Sequence, residues 1–102
     1  MRKTVALVFV AVFAVAVVST SAAQSPGRVY TSKCAGCHGA DGKGLIAGTP
    51  DFSSGQWQSS RSDAQLFASI KDGRGKLMPA WGKQLSDAQI NALVGHIRGL
   101  KR

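Results

Sequence analysis

Two cysteines and a histidine lie close together in the segment Cys34-Ala35-Gly36-Cys37-His38. Cysteines three residues apart on a helical turn face the same side, so both thiols can reach the vinyl groups along one side of a haem. The histidine that follows projects its imidazole toward the iron from the same turn. Because three uncommon residue types occur at a fixed, tight spacing, this C-x-x-C-H pattern predicts covalent attachment of a c-type haem.

Two other kinds of chemistry use cysteines at this spacing. A redox-active disulfide between Cys34 and Cys37 needs the strand-helix-strand context of a thioredoxin-like fold, and the sequence has no such strand pattern. A zinc site would find only His96 as a ligand outside the motif, without a second ligand pair at the usual spacing. Haem attachment is the favoured interpretation, and these two alternatives stay open at the level of the sequence.

The sixth position of a haem iron decides its chemistry, because a filled position favours electron transfer and an open one binds small molecules. Met78 is the only methionine besides Met1, and it precedes Pro79 in a predicted loop. His96 is the rival, but it lies at the edge of the apolar stripe of a predicted helix, where side chains more often pack against another helix. We predict Met78 as the sixth ligand, with His96 or an open position as alternatives.

Three helices are predicted to hold these groups, over residues 25 to 34, 62 to 72 and 86 to 100. The first begins with Ser-Pro, and the other two each begin with a Ser-x-x-Gln capping box. The third has apolar residues at three- and four-residue steps, namely Ile90, Leu93, Val94, Ile97 and Leu100. The Gly-rich stretches 39 to 58 and 73 to 83 are predicted loops, and a domain with so few large apolar residues needs an added core element such as a haem.

The first 23 residues have the pattern of a secretory signal. Arg2 and Lys3 precede a run without charge from 4 to 18, and Ser21-Ala22-Ala23 offers small residues for cleavage. A membrane anchor needs roughly 20 apolar residues, and this run is shorter. The sequence predicts a signal peptide over residues 1–23 that is cleaved near Ala23, a mature domain over residues 24–102 and a periplasmic location.

The chain has 102 residues, 44% of them hydrophobic, and a formal net charge of +8. This length allows one domain beside the leader. The basic residues lack aromatic interleaving or a strongly basic helix, which argues against nucleic acid as a partner. Five basic residues lie near the motif and Met78 in sequence and are expected to steer acidic redox partners: Lys33, Lys71, Arg74, Lys76 and Lys83.

From Tyr30 to its last residue, the chain resembles a small monohaem class I cytochrome c of bacterial type. Tyr30 lies four residues before Cys34, and the other matching segments are Cys34 to Gly39, Ala40-Asp41-Gly42-Lys43-Gly44, Pro50-Asp51-Phe52, Met78-Pro79-Ala80-Trp81 and Leu85-Ser86-Asp87-Ala88-Gln89-Ile90. The resemblance implies an all-α fold in which three main helices and Gly-rich loops wrap around one covalently attached haem c. It also implies crossed N- and C-terminal helices.

The resemblance assigns His38 and Met78 as the axial metal ligands. It implies that the Pro50 carbonyl accepts a hydrogen bond from the His38 ring, which would orient the imidazole. Trp57 and Arg61 are candidates for hydrogen bonds to the haem propionates, because a buried propionate needs donors; an exposed loop position is the alternative for each.

The chain departs from the family pattern in its terminal helices. Pro26 stands where the family has a small residue, and Gly27 follows one place later, which predicts a shifted helix crossing. His96 stands where the family often has an aromatic residue, and a flat ring there suits helix packing.

The predicted function is that of a soluble carrier of one electron between periplasmic redox partners. The partners are expected to be reductases or oxidases with acidic surfaces. The carrier would be a monomer, would have no catalytic residues and would meet membranes only through its partner complexes. The alternative is an enzyme or sensor, a haem peroxidase or small-ligand binder in which Met78 is displaced.

Overall fold

The computed structural model describes residues 24–102 together with positions 4, 6, 8 and 10–12. The predicted signal peptide over residues 1–23 therefore lies mostly outside the described residues, as does its cleavage site at Ala23. The described part of the chain is helical, and its only β-type pairing is an isolated antiparallel bridge between Arg74 and Met78. Among the described residues, no helix combines the length and apolar character needed to span a membrane.

The first predicted helix is confirmed, and it extends to the end of the C-x-x-C-H motif. It consists of α1 (Pro26–Val29), a π-helical segment (Tyr30–Cys34) and α2 (Ala35–His38). The Ser25 hydroxyl caps its N-terminus by accepting a hydrogen bond from the Arg28 N–H at 3.4 Å. The wide π turn runs into the motif and ends at its first residue, Cys34, and such turns often mark functional sites.

A short helix, α3 (Gly55–Ser60), lies where the sequence predicted a loop over 39 to 58. The prediction is wrong at its C-terminal end because the Ser54 hydroxyl accepts a hydrogen bond from the Trp57 N–H at 3.2 Å and caps the helix. The predicted loop over 73 to 83 is confirmed, since it holds no helix and only the one bridge.

The other two predicted helices are α4 (Asp63–Asp72) and α5 (Asp87–Arg98). Both capping boxes form as predicted: the serine hydroxyl accepts from the glutamine backbone N–H, and the glutamine side-chain oxygen Oε1 accepts from the serine backbone N–H. Each box satisfies two backbone donors at a helix end that would otherwise lack partners.

The core is built where α5 packs against both α1 and α4. The apolar residues of α5 are buried as predicted, and Ile90 and Leu93 are nearly inaccessible to solvent. Leu100, predicted as the last residue of this stripe, lies beyond the end of α5 and is only partly buried. The buried apolar side chains are Val29, Tyr30, Phe52, Leu66, Ile70, Leu85, Ile90, Leu93, Val94 and Ile97.

Arg98 anchors the C-terminal end of α5 to the joint between α3 and α4. Its guanidinium donates to the Asp63 carboxylate at 2.8 Å, to the Gln58 carbonyl oxygen at 2.7 Å and to the Arg61 carbonyl oxygen. The buried Gln58 amide in turn donates to the carbonyl oxygens of Phe52 and Ile97 at 2.8 and 2.9 Å. Because charge-assisted hydrogen bonds are stronger than neutral ones, this network fixes the segment that carries Trp57 and Arg61.

Candidate functional site

Both cysteines of the motif are free thiols, with Cys34 half-buried and Cys37 exposed. Burial is the main influence on Cys34 and raises the pKa of its thiol. A redox-active disulfide motif needs an attacking thiol of lowered pKa. The thioredoxin-like alternative therefore finds no support at Cys34, while two free thiols three residues apart suit thioether formation.

His38 ends α2 and lies half-buried with its ring stacked on Phe52, the ring centroids 4.6 Å apart and the planes at 19°. Burial lowers the pKa of His38, so the imidazole is held neutral, which is the form that binds a metal. Its Nδ1 atom is buried and has no hydrogen-bond partner among the described residues. Since buried polar atoms are nearly always satisfied, this atom indicates a functional group.

No hydrogen bond joins Nδ1 of His38 to the Pro50 carbonyl, since this nitrogen has no partner among the described residues; the Pro50 contact stays a prediction. The Phe52 N–H donates to the Gly42 carbonyl oxygen at 2.8 Å, which brings the Phe52 ring against the imidazole. An aromatic ring therefore lies against one face of the His38 imidazole.

Met78 lies half-buried in the loop between α4 and α5, and its side chain packs against the apolar core. Its backbone is fixed by the bridge to Arg74: the Arg74 N–H donates to the Met78 carbonyl oxygen at 3.0 Å, and the Met78 N–H donates back at 3.2 Å. Further along, the Trp81 N–H donates to the carbonyl oxygen of Ile70 in α4 at 2.9 Å. The thioether is thus carried by a loop whose backbone is ordered by hydrogen bonds.

His96 packs between the two terminal helices. Its ring lies 4.7 Å from that of Tyr30 at an angle of 41°, and a Cβ placed on Gly27 would lie 3.7 Å from the imidazole. The residue has the packing role that its position on the helix predicted, and Gly27 accommodates it. The zinc alternative thereby lacks its fourth ligand; the described residues contain no group of three or more His, Cys, Asp or Glu side chains that could hold a metal ion.

Tyr30 has a role that the sequence did not reveal. Its buried hydroxyl donates to the carbonyl oxygen of Gly39, directly after His38, at 2.7 Å. Burial raises the pKa of Tyr30 to about 12. Two backbone bonds close the same helix end, because the Gly44 N–H donates to the His38 carbonyl oxygen at 2.7 Å and the Leu45 N–H donates to that of Cys37 at 2.9 Å.

Trp57 and Arg61, the predicted propionate contacts, both lie half-buried near the core. The Trp57 ring packs on Phe52 with centroids 4.9 Å apart. Arg61 Nη2 lies 3.5 Å from the Ser69 hydroxyl, and its Nε is buried without a partner among the described residues. A buried guanidinium N–H without an acceptor is costly, and a carboxylate would satisfy it.

The basic residues around the motif are not equally free. Lys33 Nζ lies 5.4 Å from the centroid of the Trp81 ring, and Lys71 pairs with Asp87 at 3.1 Å. Arg74, Lys76 and Lys83 are exposed.

The residues fit a covalently held haem in four respects. The motif supplies two free thiols on one helix end and a neutral imidazole with a buried unpartnered nitrogen. The loop between α4 and α5 supplies a half-buried thioether. Aromatic side chains line the same region, and Phe67, Trp57 and Trp81 are only partly covered by protein. This combination of fold and site defines a c-type cytochrome.

The family model described as cytochrome c oxidase, cbb3-type, subunit III matches residues 21–97, and the chain belongs to this cytochrome c family. A cbb3-type cytochrome c oxidase subunit CcoP of Azospirillum brasilense is 36% identical over 85 residues, which cover 78% of this chain and 29% of that protein. The subunit FixP of Azorhizobium caulinodans is 37% identical over 82 residues, 79% of this chain and 28% of that protein. The chain spans less than a third of the length of these relatives.

Solved structures show the same fold. The KustC0563 c-type cytochrome matches with a TM-score of 0.73 and 28% identity, over 78% of this chain and 100% of the other. Cytochrome cL from Hyphomicrobium denitrificans matches with a TM-score of 0.66 and 25% identity, over 76% of this chain and 46% of the other. The predicted all-α class I cytochrome c fold, the covalently bound haem c and the role in electron transport are thereby confirmed.

Proposed function

We propose that residues 24–102 form a soluble periplasmic carrier that binds one haem c through Cys34 and Cys37, with His38 and Met78 as axial ligands. The haem supplies a reversible one-electron couple when bound. The observation that carries the proposal is the His38 imidazole, which is kept neutral by burial, has an unpartnered Nδ1 and ends the helix that bears both thiols. Removal of residues 1–23 as a signal peptide is part of the same proposal.

Each residue of the site has a separate task in this function. The two thiols fix the cofactor to the end of α2, and His38 supplies the proximal nitrogen from the same turn. The Met78 thioether favours the reduced state relative to a second imidazole, so a comparatively high potential is expected. Trp57 and Arg61 bind the propionates, and the buried Arg61 Nε supports this assignment because it lacks an acceptor.

The partners are redox proteins with acidic surfaces. Arg74, Lys76 and Lys83 are exposed in the part of the chain that carries Met78, so their charges are available for docking. The relatives are named as subunits of cbb3-type cytochrome c oxidases, which favours an oxidase as the electron acceptor. The carrier acts as a monomer and reaches a membrane only through its partner complex.

The alternative, a peroxidase or small-ligand sensor, requires Met78 to leave its position readily. The backbone of the Met78 loop is held by the paired bonds to Arg74 and by the bond from Trp81 to Ile70. A loop fastened in this way opposes displacement of the ligand, which favours the electron carrier.

The test is the visible spectrum of the protein matured with its own leader in a bacterium that has a haem-attachment system. We expect haem that survives denaturing extraction, and a ferric far-red band of the kind that reports iron–thioether ligation in the family. Substitution of both Cys34 and Cys37 by Ala should abolish covalent haem. His38→Ala should abolish the native spectrum, while the matched change His96→Phe should preserve it.

The sixth ligand is tested separately. Met78→Ala should remove the far-red band, whereas Leu77→Ala, at an exposed neighbouring position, should leave it unchanged. Haem that is lost on denaturing extraction of the parent protein would contradict the proposed attachment.

The partner proposal is tested by electron-transfer rates with a purified oxidase over a range of salt concentrations. We expect the rate to fall as salt rises, and Lys76→Glu with Lys83→Glu to lower it further. Arg102→Glu, at the exposed end of the chain, is the matched control. An electron-transfer rate that changes neither with salt concentration nor with the two charge reversals would contradict docking through these residues.

A further inference from the structure

We propose that Gly73 and Gly82 are positioning residues that hold the Met78 loop against the C-terminal end of α4 and so place the thioether. The proposal rests on the proposed function, in which Met78 is the sixth ligand. Backbone approaches backbone closely at each end of this loop, at Gly73 and at Gly82. Neither glycine belongs to the motifs that carry the cytochrome resemblance.

A side chain at position 73 has no room, because the backbone of residues 78 to 80 lies directly against Gly73. A Cβ at this position would lie 2.7 Å from the Met78 carbonyl oxygen, 2.9 Å from the Ala80 nitrogen and 3.0 Å from the Pro79 carbonyl carbon. All three atoms belong to the backbone, so no side-chain rotation can relieve the overlap. Ordinary contact begins near 3.4 Å, so the Met78 carbonyl would have to move by several tenths of an ångström.

The conformation of Gly73 adds a second restriction. Its φ is 77° and its ψ is 174°, a combination that is essentially confined to glycine. This conformation ends α4 and turns the chain directly into the bridge between Arg74 and Met78. Because both Met78 backbone bonds go to Arg74, the residue next to Gly73, a displacement at 73 is passed to the ligand.

Gly82 makes the corresponding contact where the loop returns. Its N–H donates to the Lys71 carbonyl oxygen at 3.0 Å, one residue after the Trp81 N–H bonds Ile70. A Cβ at 82 would lie 3.0 Å from the Lys71 carbonyl oxygen and 2.8 Å from its Cγ. Its φ lies outside the positive range, so the restriction at this site is one of space alone.

The two contacts fasten residues 73 to 82 to one turn of α4 at both ends. A ligating side chain must be held within about 0.5 Å of its working position, and the backbone of Met78 is positioned by its loop. Loss of either contact should therefore lower the fraction of molecules in which the thioether occupies the sixth position. A competing ligand then binds more tightly, since it no longer has to displace Met78.

The experiment uses four alanine variants of the holoprotein that separate contact from backbone strain. Gly73→Ala introduces both, and Gly82→Ala introduces a contact without positive φ. Gly75→Ala introduces strain alone, because its φ is 58° and nothing lies within 4 Å of its Cβ position. Gly95→Ala, in α5, introduces neither.

The readouts are the far-red ferric band and the dissociation constant of imidazole for the ferric protein. For Gly73→Ala we expect a weakened band and imidazole binding about tenfold tighter than in the parent. For Gly82→Ala we expect tightening of about threefold, because a few tenths of an ångström of movement at Lys71 relieves part of the overlap. Gly75→Ala and Gly95→Ala should stay within about twofold of the parent.

The inference is overturned if Gly73→Ala and Gly82→Ala bind imidazole no more tightly than Gly75→Ala does. That result would leave Met78 as the ligand. A parent protein without the far-red band, in which Met78→Ala leaves imidazole binding unchanged, overturns the ligand assignment itself and the inference with it. If Gly73→Ala does not accumulate as holoprotein, Gly82→Ala decides the question, because it carries no φ strain.

Discussion

The two proposed axial ligands are held in different ways. His38 belongs to a helix, and the loop that follows folds back to cap it, through bonds from Gly44 and Leu45 to the last helical carbonyl oxygens. Met78 lies in an irregular segment whose position depends on a few backbone bonds and on the close approaches at Gly73 and Gly82. The His38 side is fixed by local structure, whereas the Met78 side is fixed by contacts with a separate helix.

Because the two ligands are held differently, substitutions near each of them should have different effects on domain stability and on iron ligation. Damage to the first helix should reduce the stability of the whole domain, because that helix packs on α5 in the core. Damage near α4 should free Met78 before the domain unfolds, because it loosens the bonds that hold the loop in place in the intact protein. Three predictions test this comparison.

The largest effect is expected from Ile70→Ala, which removes a buried side chain from the helix that holds the Met78 loop. We expect a loss of about 2–5 kcal/mol in the free energy of unfolding, together with tighter imidazole binding by the ferric protein. Val29→Ala, at a buried position of α1, is the control; it should reduce stability without changing imidazole binding. An equal increase in imidazole affinity in Ile70→Ala and Val29→Ala would contradict the proposed difference between the His38 and Met78 ligands.

A smaller effect is expected from Tyr30→Phe, which removes the hydrogen bond to Gly39 on the His38 side. The expected loss is about 1 kcal/mol in the free energy of unfolding, with the far-red band unchanged. Denaturant unfolding of the holoprotein at neutral pH measures the loss, and the spectrum checks the ligand.

The same variant tests the pH dependence. The pKa of Tyr30 is raised to about 12 from an ordinary value of 10.0, so the unfolded state loses the proton first. The stabilisation is therefore complete below pH 10 and is lost as pH rises through about 12. Because Tyr30 is the only tyrosine in the chain, Tyr30→Phe should remove this part of the slope of unfolding free energy against pH. An identical slope in both proteins would contradict the assignment.

The smallest effect is expected at a contact between the two sides, where Lys33 lies over the ring of Trp81. Lys33→Gln should cost at most about 0.5 kcal/mol, since cation–π contacts near the surface are weak. Lys76→Gln, an exposed lysine without a ring contact among the described residues, is the control. A double-mutant cycle with Trp81→Leu measures the coupling, and a coupling energy of zero would remove this link between the two sides.

Local signals in the sequence predicted most of the fold. The capping boxes at Ser62 and Ser86 marked the starts of α4 and α5, and the periodic apolar residues identified the buried face of α5. The helix α3 escaped prediction because it has six residues, begins with Gly55 and lacks an apolar repeat. Arg98 gave no signal either, since an arginine at a helix end is ordinarily exposed and its partners lie 35 or more residues away.

The sequence by itself determined the chemistry of this protein, because the spacing of Cys34, Cys37 and His38 within one helix fixes their relation whatever the rest of the chain does. Only the tertiary structure decided what surrounds them. It placed Phe52 against one face of the imidazole, and it set the Met78 loop against α4. The physical reason is range: helix geometry relates residues a few positions apart, whereas close packing relates segments whose approach no local pattern records.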